Sequence, residues 1–447
     1  MAEPSAPKLG LFQTVLFAVA ANIGLRWLPV AAAVGPSSFP IWMLAAAVFL
    51  APLAIASIAL TETFPGQGGI YVWTRDTYGP LAGFICGWFY WFSNFPYLAG
   101  ILYFLVGLFM SAAGLHGALL YFILCLLIGA LFAGLQIAGL GTGKWFTSFG
   151  AVGTWLIFLL IFGVGVWLLL HGSGATDFRH AGYRPPATFD TAILWGTIVF
   201  AFSGMEGMAL MRDDVRGGAR VIAGAIAFVC VSMVVIYILG TAAMLTIMPQ
   251  AAYTRLGGLA DALHAIFAHS GIPVLGVIAI VFLALAQLGG FTAWFGIAAR
   301  LPVAAGIDSF LPPIFAKRNE KTGAPVAAIL LQGGLILLMV ALGAAGASTA
   351  ATYDFLVSMG VLTNTTCYLF LFAAYLKVKW GTGWAIFVGV VGEVATISAI
   401  IGTVIPSASD PHPLATFLKI VISAAVLTIV GLALYWLGMR RQGALAT

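Results

Sequence analysis

Asn22, Gly24 and Arg26 lie halfway along one apolar stretch, Leu11–Val34. Ser203, Gly204 and Glu206 lie at the same relative depth of another, Asp190–Met211. Unpaired backbone groups are costly in hydrocarbon, so a broken helix persists only where it lines a cavity or site. At such a break the amides of the following half-helix suit a carboxylate, and the carbonyls of the preceding half suit an ammonium. An α-amino acid carries both groups at a fixed separation. Two facing breaks therefore predict a site for a zwitterion, with the carboxylate at the amides of Gly24, Leu25 and Arg26. The ammonium would meet carbonyls near Asn22, Ile23, Phe200 and Ser203, and Phe202 and Gly204 complete the second break. The competing reading is that Asn22 and Gly24 only permit close helix packing.

Two charges accompany the breaks. Glu206 is a lone acid in an apolar segment, and such residues face protein or water. It either carries a proton or pins the unwound backbone. Arg26 would greet an acidic substrate or, since an unpaired buried charge is very costly, pair with Glu206 or another acid. Glu393 and Lys419 fall in later segments and read as structural. Asp354, opening its segment, reads as a helix cap or a gate.

Other pocket candidates lie on other segments. In the run Trp88, Tyr90, Trp91, Asn94, Pro96, Tyr97, the deeper polar-tipped residues are Asn94 and Tyr97. Trp294 is a further candidate. Thr292, beside Gly289-Gly290, offers an oxygen to sodium or simply packs. The polar run Thr363-Asn364-Thr365-Thr366 must face inward. Gly79, Gly83 and Gly87 recur at four-residue spacing, which permits close helix contact.

The elements that position these residues follow from composition. Of 447 residues, 62% are hydrophobic and 7% charged, against about 25% charged in soluble domains. An all-α integral membrane protein is expected. On a ruler of about 20 apolar residues per span, twelve segments emerge, roughly 11–34, 41–61, 81–113, 119–139, 145–170, 190–211, 219–247, 272–300, 325–343, 353–376, 384–405 and 414–438. Placing the N-terminus in the cytoplasm puts fourteen of the 19 basic residues in inner loops and tails, three in outer loops (Arg179, Arg184, Arg255) and two within segments. That partition follows the positive-inside rule and supports twelve helices with both termini cytoplasmic.

The broken segments are the first and the sixth, and an odd-numbered repeat inverts its copy across the bilayer. Residues 1–10 read as a cytoplasmic stub, 11–170 as one five-helix repeat and 190–376 as its inverted copy. Residues 384–438 add two helices, and 439–447 form a cytoplasmic tail.

Several chemistries are not supported. The basic residues form no stripe, so no nucleic acid is expected. Cys86, Cys125, Cys230 and Cys367 fall inside apolar segments and read as free thiols. The six histidines sit in or beside outer loops, away from any metal-ligand cluster. Gly139-Leu140-Gly141-Thr142-Gly143-Lys144-Trp145 superficially resembles a phosphate loop but lacks the Ser/Thr after lysine.

The chain resembles the amino acid–polyamine–organocation superfamily in three places. These are Leu25-Arg26-Trp27-Leu28-Pro29 with the string Glu62-Thr63-Phe64-Pro65-Gly66-Gln67-Gly68-Gly69-Ile70-Tyr71-Val72-Trp73; Phe202-Ser203-Gly204-Met205-Glu206 with the basic loop Arg212–Arg220; and Ala293-Trp294 through Ala299-Arg300 to Leu311-Pro312. The resemblance implies inverted five-helix repeats holding substrate between helices one, three, six, eight and ten. Many members have Gly-x-Gly at the first break, whereas Gly24-Leu25-Arg26 is closer to the branch of glutamate/GABA exchangers and polyamine carriers. Some proton-coupled members carry a lysine in helix five; residues 150–155 contain none.

The expectation is a secondary active transporter for an amino acid or related amine in the cytoplasmic membrane, working as a monomer or homodimer. Proton symport through Glu206 is preferred, with sodium coupling, obligate exchange and polyamine uptake as alternatives. A channel or a non-transporting scaffold is the competitor from another class, and no enzyme or cofactor is expected.

Overall fold

The computed structural model describes residues 9–64, 68–138, 142–254, 257–268, 273–304, 310–319, 324–344, 349–405 and 413–446. Pro65-Gly66-Gln67 of the glycine-rich string, Gly139–Gly141, Arg255, His269 and His412 lie outside them. The described residues form helices and turns, apart from one isolated bridge between Leu9 and Val215.

The first segment is two helices, α1 (Leu11–Asn22) and α2 (Trp27–Ala32). The second runs through a 3-10 turn, α3 (Ser38–Ala45), a π turn at Ala46–Leu50 and α4 (Ala51–Thr63). It starts near Gly35, earlier than hydropathy suggests, because Gly35 and Pro36 begin a helical turn. A short connecting helix, α5 (Gly69–Tyr78), precedes three long helices: α6 (Pro80–Ala113), α7 (Ala118–Ile137) and α8 (Thr142–Leu170).

The sixth segment is α9 (Phe189–Ala201) followed by a ten-residue 3-10 helix, Met205–Asp214. Runs of 3-10 helix beyond about four residues are uncommon and often mark a hinge. Then come α10 (Gly218–Ile247), the amphipathic connecting helix α11 (Gly258–Ala268), α12 (Pro273–Ala304) and α13 (Val326–Ala344). The chain closes with α14 (Thr349–Val378), α15 (Gly383–Val404) and α16 (Pro413–Ala446). Residues 439–446 therefore prolong α16 instead of forming a separate tail.

Among the described residues ten helices are long and apolar enough to cross a membrane. Neither the broken first segment nor α13 reaches that length unaided. Large apolar side chains on the outer faces of α7, α15 and α16 stay exposed, among them Leu127, Val394 and Ile429, as lipid contact requires.

The densest packing joins α8 to α12 and α6 to α14. Glycines bring α8 and α12 together: a Cβ on Gly150 would sit 2.5 Å from the Gly289 Cα. Gly83 lies close to Arg75 of α5, with a Cβ there 2.8 Å from its Cα, whereas Gly79 has no such neighbour and ends α5 at φ +93°. All four cysteines are free.

Two contacts bind the far ends of the broken segments to their surroundings. Leu9 donates its N–H to the Asp214 carbonyl (2.8 Å) and accepts from the Arg216 N–H (2.8 Å). Arg212 donates through Nη1 to the carbonyls of Thr61 (2.6 Å) and Phe64 (2.9 Å), capping α4. In the exposed loop 171–188, Asp177 pairs with His180 at 2.7 Å. The bond from His180, with help from the Arg179 N–H, holds the Asp177 carboxyl below its ordinary range; the same bond raises the His180 imidazole.

Candidate functional site

Each break has a local cause. The Asn22 side chain donates through Nδ2 to the Ala18 carbonyl (2.8 Å), competing with the helical ladder. Ile23 then turns extended (φ −93°, ψ 106°). In the sixth segment the Ser203 hydroxyl donates to the Phe200 carbonyl (2.6 Å), and Gly204 adopts φ +106°, where a side chain would be strained. A Cβ on Gly204 would also lie 2.7 Å from Asn22 Oδ1 and 2.9 Å from the Trp294 ring. The two breaks therefore meet across Gly204.

Tyr237 of α10 joins them. Its hydroxyl accepts the Gly24 N–H (3.1 Å), and its proton lies between the carbonyls of Ala201 (3.2 Å) and Asn22 (3.4 Å). From the other side, Trp294 of α12 donates its indole N–H to the Ala21 carbonyl (2.6 Å). Some of the backbone groups expected to meet a zwitterion are thus already held by the scaffold: the Gly24 amide and the carbonyls of Asn22 and Phe200.

Glu206 sits behind the second break, 1% exposed. Its Oε1 accepts the hydroxyls of Tyr368 (2.9 Å) and Tyr90 (3.0 Å), and its Oε2 accepts the Gly204 N–H (3.1 Å). The Gly204 N–H also lies 3.2 Å from the Tyr368 hydroxyl. Three donors thus converge on one carboxyl group beside the kink.

The ion pair expected for Arg26 is not present. Its guanidinium lies over the rings of Trp27 (4.4 Å) and Tyr97 (4.7 Å). Among the described residues it forms no ion pair, and its buried Nη1 has no hydrogen-bond partner. Glu206 is unavailable to it because closer donors on its own break and on α6 and α14 have claimed the carboxyl group.

A cavity of about 30 Å³ lies between the breaks, lined by Ala21, Asn22, Trp27, Ser93, Asn94, Tyr97, Phe200, Ala201, Ser203, Gly204, Trp294 and Asn364. It holds about two waters, so a larger guest requires the walls to part. Of the residues singled out by sequence, Asn22, Asn94, Tyr97, Phe200, Ser203, Gly204 and Trp294 line it. Ile23, Gly24, Leu25 and Arg26 do not, and Phe202 packs behind the break against Trp42 and Tyr237. Asn22 Oδ1 and Asn364 Oδ1 are buried without partners. Asn94 is tied back to the Tyr90 carbonyl (2.7 Å).

Tyr90, Tyr237 and Tyr368 are the residues that sequence reasoning missed, since a tyrosine in an apolar segment carries no periodic signal of what its hydroxyl reaches. Asn364 was flagged only as part of an inward-facing run. The Thr292 hydroxyl donates to the Leu288 carbonyl (2.7 Å), in line with packing. Lys419 lies 4.2 Å from the Phe355 ring centroid and Trp88 donates to the Leu427 carbonyl, both joining the last helices to the bundle. Among the described residues no group of three His, Cys, Asp or Glu side chains is placed to hold a metal ion.

Comparison with known proteins agrees with this architecture. An uncharacterized transporter of Legionella pneumophila is 26% identical over 83% of this chain and 81% of its own. A Lactococcus lactis protein named "Probable agmatine/putrescine antiporter AguD" is 22% identical over 96% of this chain and 95% of its own. An uncharacterized transporter of Mycobacterium bovis is 26% identical over 75% of this chain and 73% of its own. A family model described as "Amino acid permease" matches residues 9–422. The chain belongs to this amino acid permease family, within the amino acid–polyamine–organocation superfamily.

Proposed function

We propose that this permease is a secondary active transporter that moves an amino acid or related amine across the cytoplasmic membrane by alternating access. The observation that carries this reading is the meeting of two broken segments at one cavity, with Tyr237 bonded to both. Interrupted helices in corresponding positions of two repeats are the structural mark of such carriers. The substrate ammonium faces the unpartnered Asn22 Oδ1, the carbonyls near Ile23 and those of Phe200 and Ser203. The carboxylate faces the stretch from Gly24 through Leu25 to Arg26, and Asn94, Tyr97, Gly204 and Trp294 complete the surround.

The five-plus-five organisation is supported by the packing. Adding or subtracting five converts the contact between segments three and ten (α6 with α14) into that between eight and five (α12 with α8), and these are the densest in the molecule. Segments four and nine (α7 with α13) pair with their own equivalents. The first and sixth segments would rock against a scaffold of the third, fourth, eighth and ninth.

Proton symport is the proposed energy source, with Glu206 as the coupling group. Labelled amino acid uptake into proteoliposomes under an imposed pH gradient tests it. Wild type should be driven by the gradient and Glu206→Gln should not; indifference of both rejects symport. Obligate exchange is the second reading, favoured by the Lactococcus relative named as an antiporter, and it requires substrate loaded inside the vesicles.

A further inference from the structure

Arg26 is 2% exposed at the first break, and among the described residues its charge has no ion-pair partner and its Nη1 no hydrogen-bond acceptor. Two aromatic faces partly solvate it, Trp27 at 4.4 Å and Tyr97 at 4.7 Å. A desolvated cation–π contact is worth about 2 kcal/mol, whereas the burial penalty of an ion remains several kcal/mol after relaxation. The rings alone therefore leave the cation short of compensation. Both rings also line the cavity, together with Phe200 and Trp294, whose rings pack edge-on against them at 5.7–6.1 Å. The charge thus stands directly behind two rings that line the space between the breaks.

The cavity lining contains no acid and no second base. Its free polar atoms are the amide oxygens of Asn22 and Asn364, both acceptors suited to an ammonium. Glu206 belongs to a separate cluster, saturated by Tyr90, Tyr368 and Gly204. A guest that satisfies this site brings one ammonium for the amide oxygens and an excess negative charge for Arg26. A neutral zwitterion, whose own charges cancel, leaves the site with one net positive charge. A diamine adds a like charge.

We propose that Arg26 is the counter-charge for an acidic amino acid, whose second carboxylate takes the guanidinium N–H groups that now have no acceptor. This rests on the transporter reading and names its substrate class. The chain would then differ from the relative named for agmatine and putrescine, since a buried arginine beside the cavity repels a cationic guest.

The test is thermal stabilisation and uptake of the purified full-length protein with six solutes: L-aspartate, L-glutamate, L-alanine, L-leucine, putrescine and agmatine. The acidic pair should bind at least about tenfold better than the rest. Arg26→Met should lose that margin for the acids, and Arg26→Lys should keep part of it. Preference of the wild type for a neutral or cationic solute, or an intact acidic preference in Arg26→Met, overturns the proposal. Should Arg26→Met fail to fold, competition on the wild type decides. L-glutamine and the γ-methyl ester of glutamate keep the size but lose the charge, and they should compete with labelled glutamate about tenfold less well; equal competition overturns the proposal. Failure of the transporter reading is distinguishable, because then no solute of any class is taken up.

Discussion

Trp294 and Ala21, 273 positions apart, are joined by a hydrogen bond of 2.6 Å from the indole N–H to a carbonyl that the first break strips of its helical donor. The eighth segment thereby holds the first at the edge of the cavity. Trp294→Phe keeps a ring beside Tyr90 and Tyr97 but leaves that carbonyl unpaired, at a cost of about 1–3 kcal/mol. A lowered melting temperature in detergent and a raised KM for uptake are the expected readings.

Tyr237→Phe removes a hydroxyl that serves both breaks. The Gly24 N–H loses its acceptor and the Ala201 carbonyl its donor. Since one substitution orphans buried groups on two elements, the loss should reach about 2–4 kcal/mol. Uptake should fall even where the protein still melts cooperatively, which paired melting and transport assays on one preparation would show.

Gly204→Ala tests whether the two breaks touch. Its φ of +106° disfavours a side chain, and the added carbon would meet Asn22 Oδ1 and the Trp294 ring inside 3.0 Å. Uptake should be abolished. A glycine serving only as a flexible spacer would tolerate alanine with partial activity, so the size of the loss decides.

Tyr368 and Tyr90 both donate to Glu206, but they are not equivalent. Tyr368 also receives the Gly204 N–H, whereas Tyr90 gives a single bond from α6. Tyr368→Phe should therefore destabilise more than Tyr90→Phe, by about 1 kcal/mol. Each should couple to Glu206→Gln in a double-mutant cycle read by thermal melting.

The Asp177–His180 clasp makes a prediction about pH. The imidazole is raised by Asp177, so its contribution is complete below the ordinary histidine value and fades as pH climbs through the raised one. The carboxyl is lowered by His180, so its share is present above the ordinary aspartate value and fades as pH falls through the lowered one. The clasp is therefore tightest between about pH 4 and 6.5. An NMR titration of His180 should show its midpoint dropping in Asp177→Asn.

The breaks were legible because Asn22, Gly24, Ser203 and Gly204 are conspicuous where hydrocarbon demands continuous apolar helix, and most helix limits followed hydropathy closely, the start of the second segment and the end of α16 excepted. The clasps on the breaks were not. Tyr90, Tyr237 and Tyr368 look in sequence like any packing aromatic, and their partners lie 116, 36 and 162 positions away. Arg26 shows a different limit. Coulomb reasoning favoured a carboxylate partner, yet Glu206 lies two residues from a backbone donor, the Gly204 N–H, and that proximity wins. Nor did ten residues of sequence distinguish a 3-10 helix over 205–214 from an α-helix, because periods of 3.0 and 3.6 diverge little over so short a run.

The bridge at Leu9 is made wholly of main chain, its amide giving to Asp214 and its carbonyl taking from Arg216. No side chain is needed for it, so almost any residue at position 9 preserves it and only proline, with no amide hydrogen, removes half of it outright. The start of the first segment and the end of the sixth are yoked by chemistry that mutation scarcely reaches. A displacement of either end that keeps both bonds carries the other end with it.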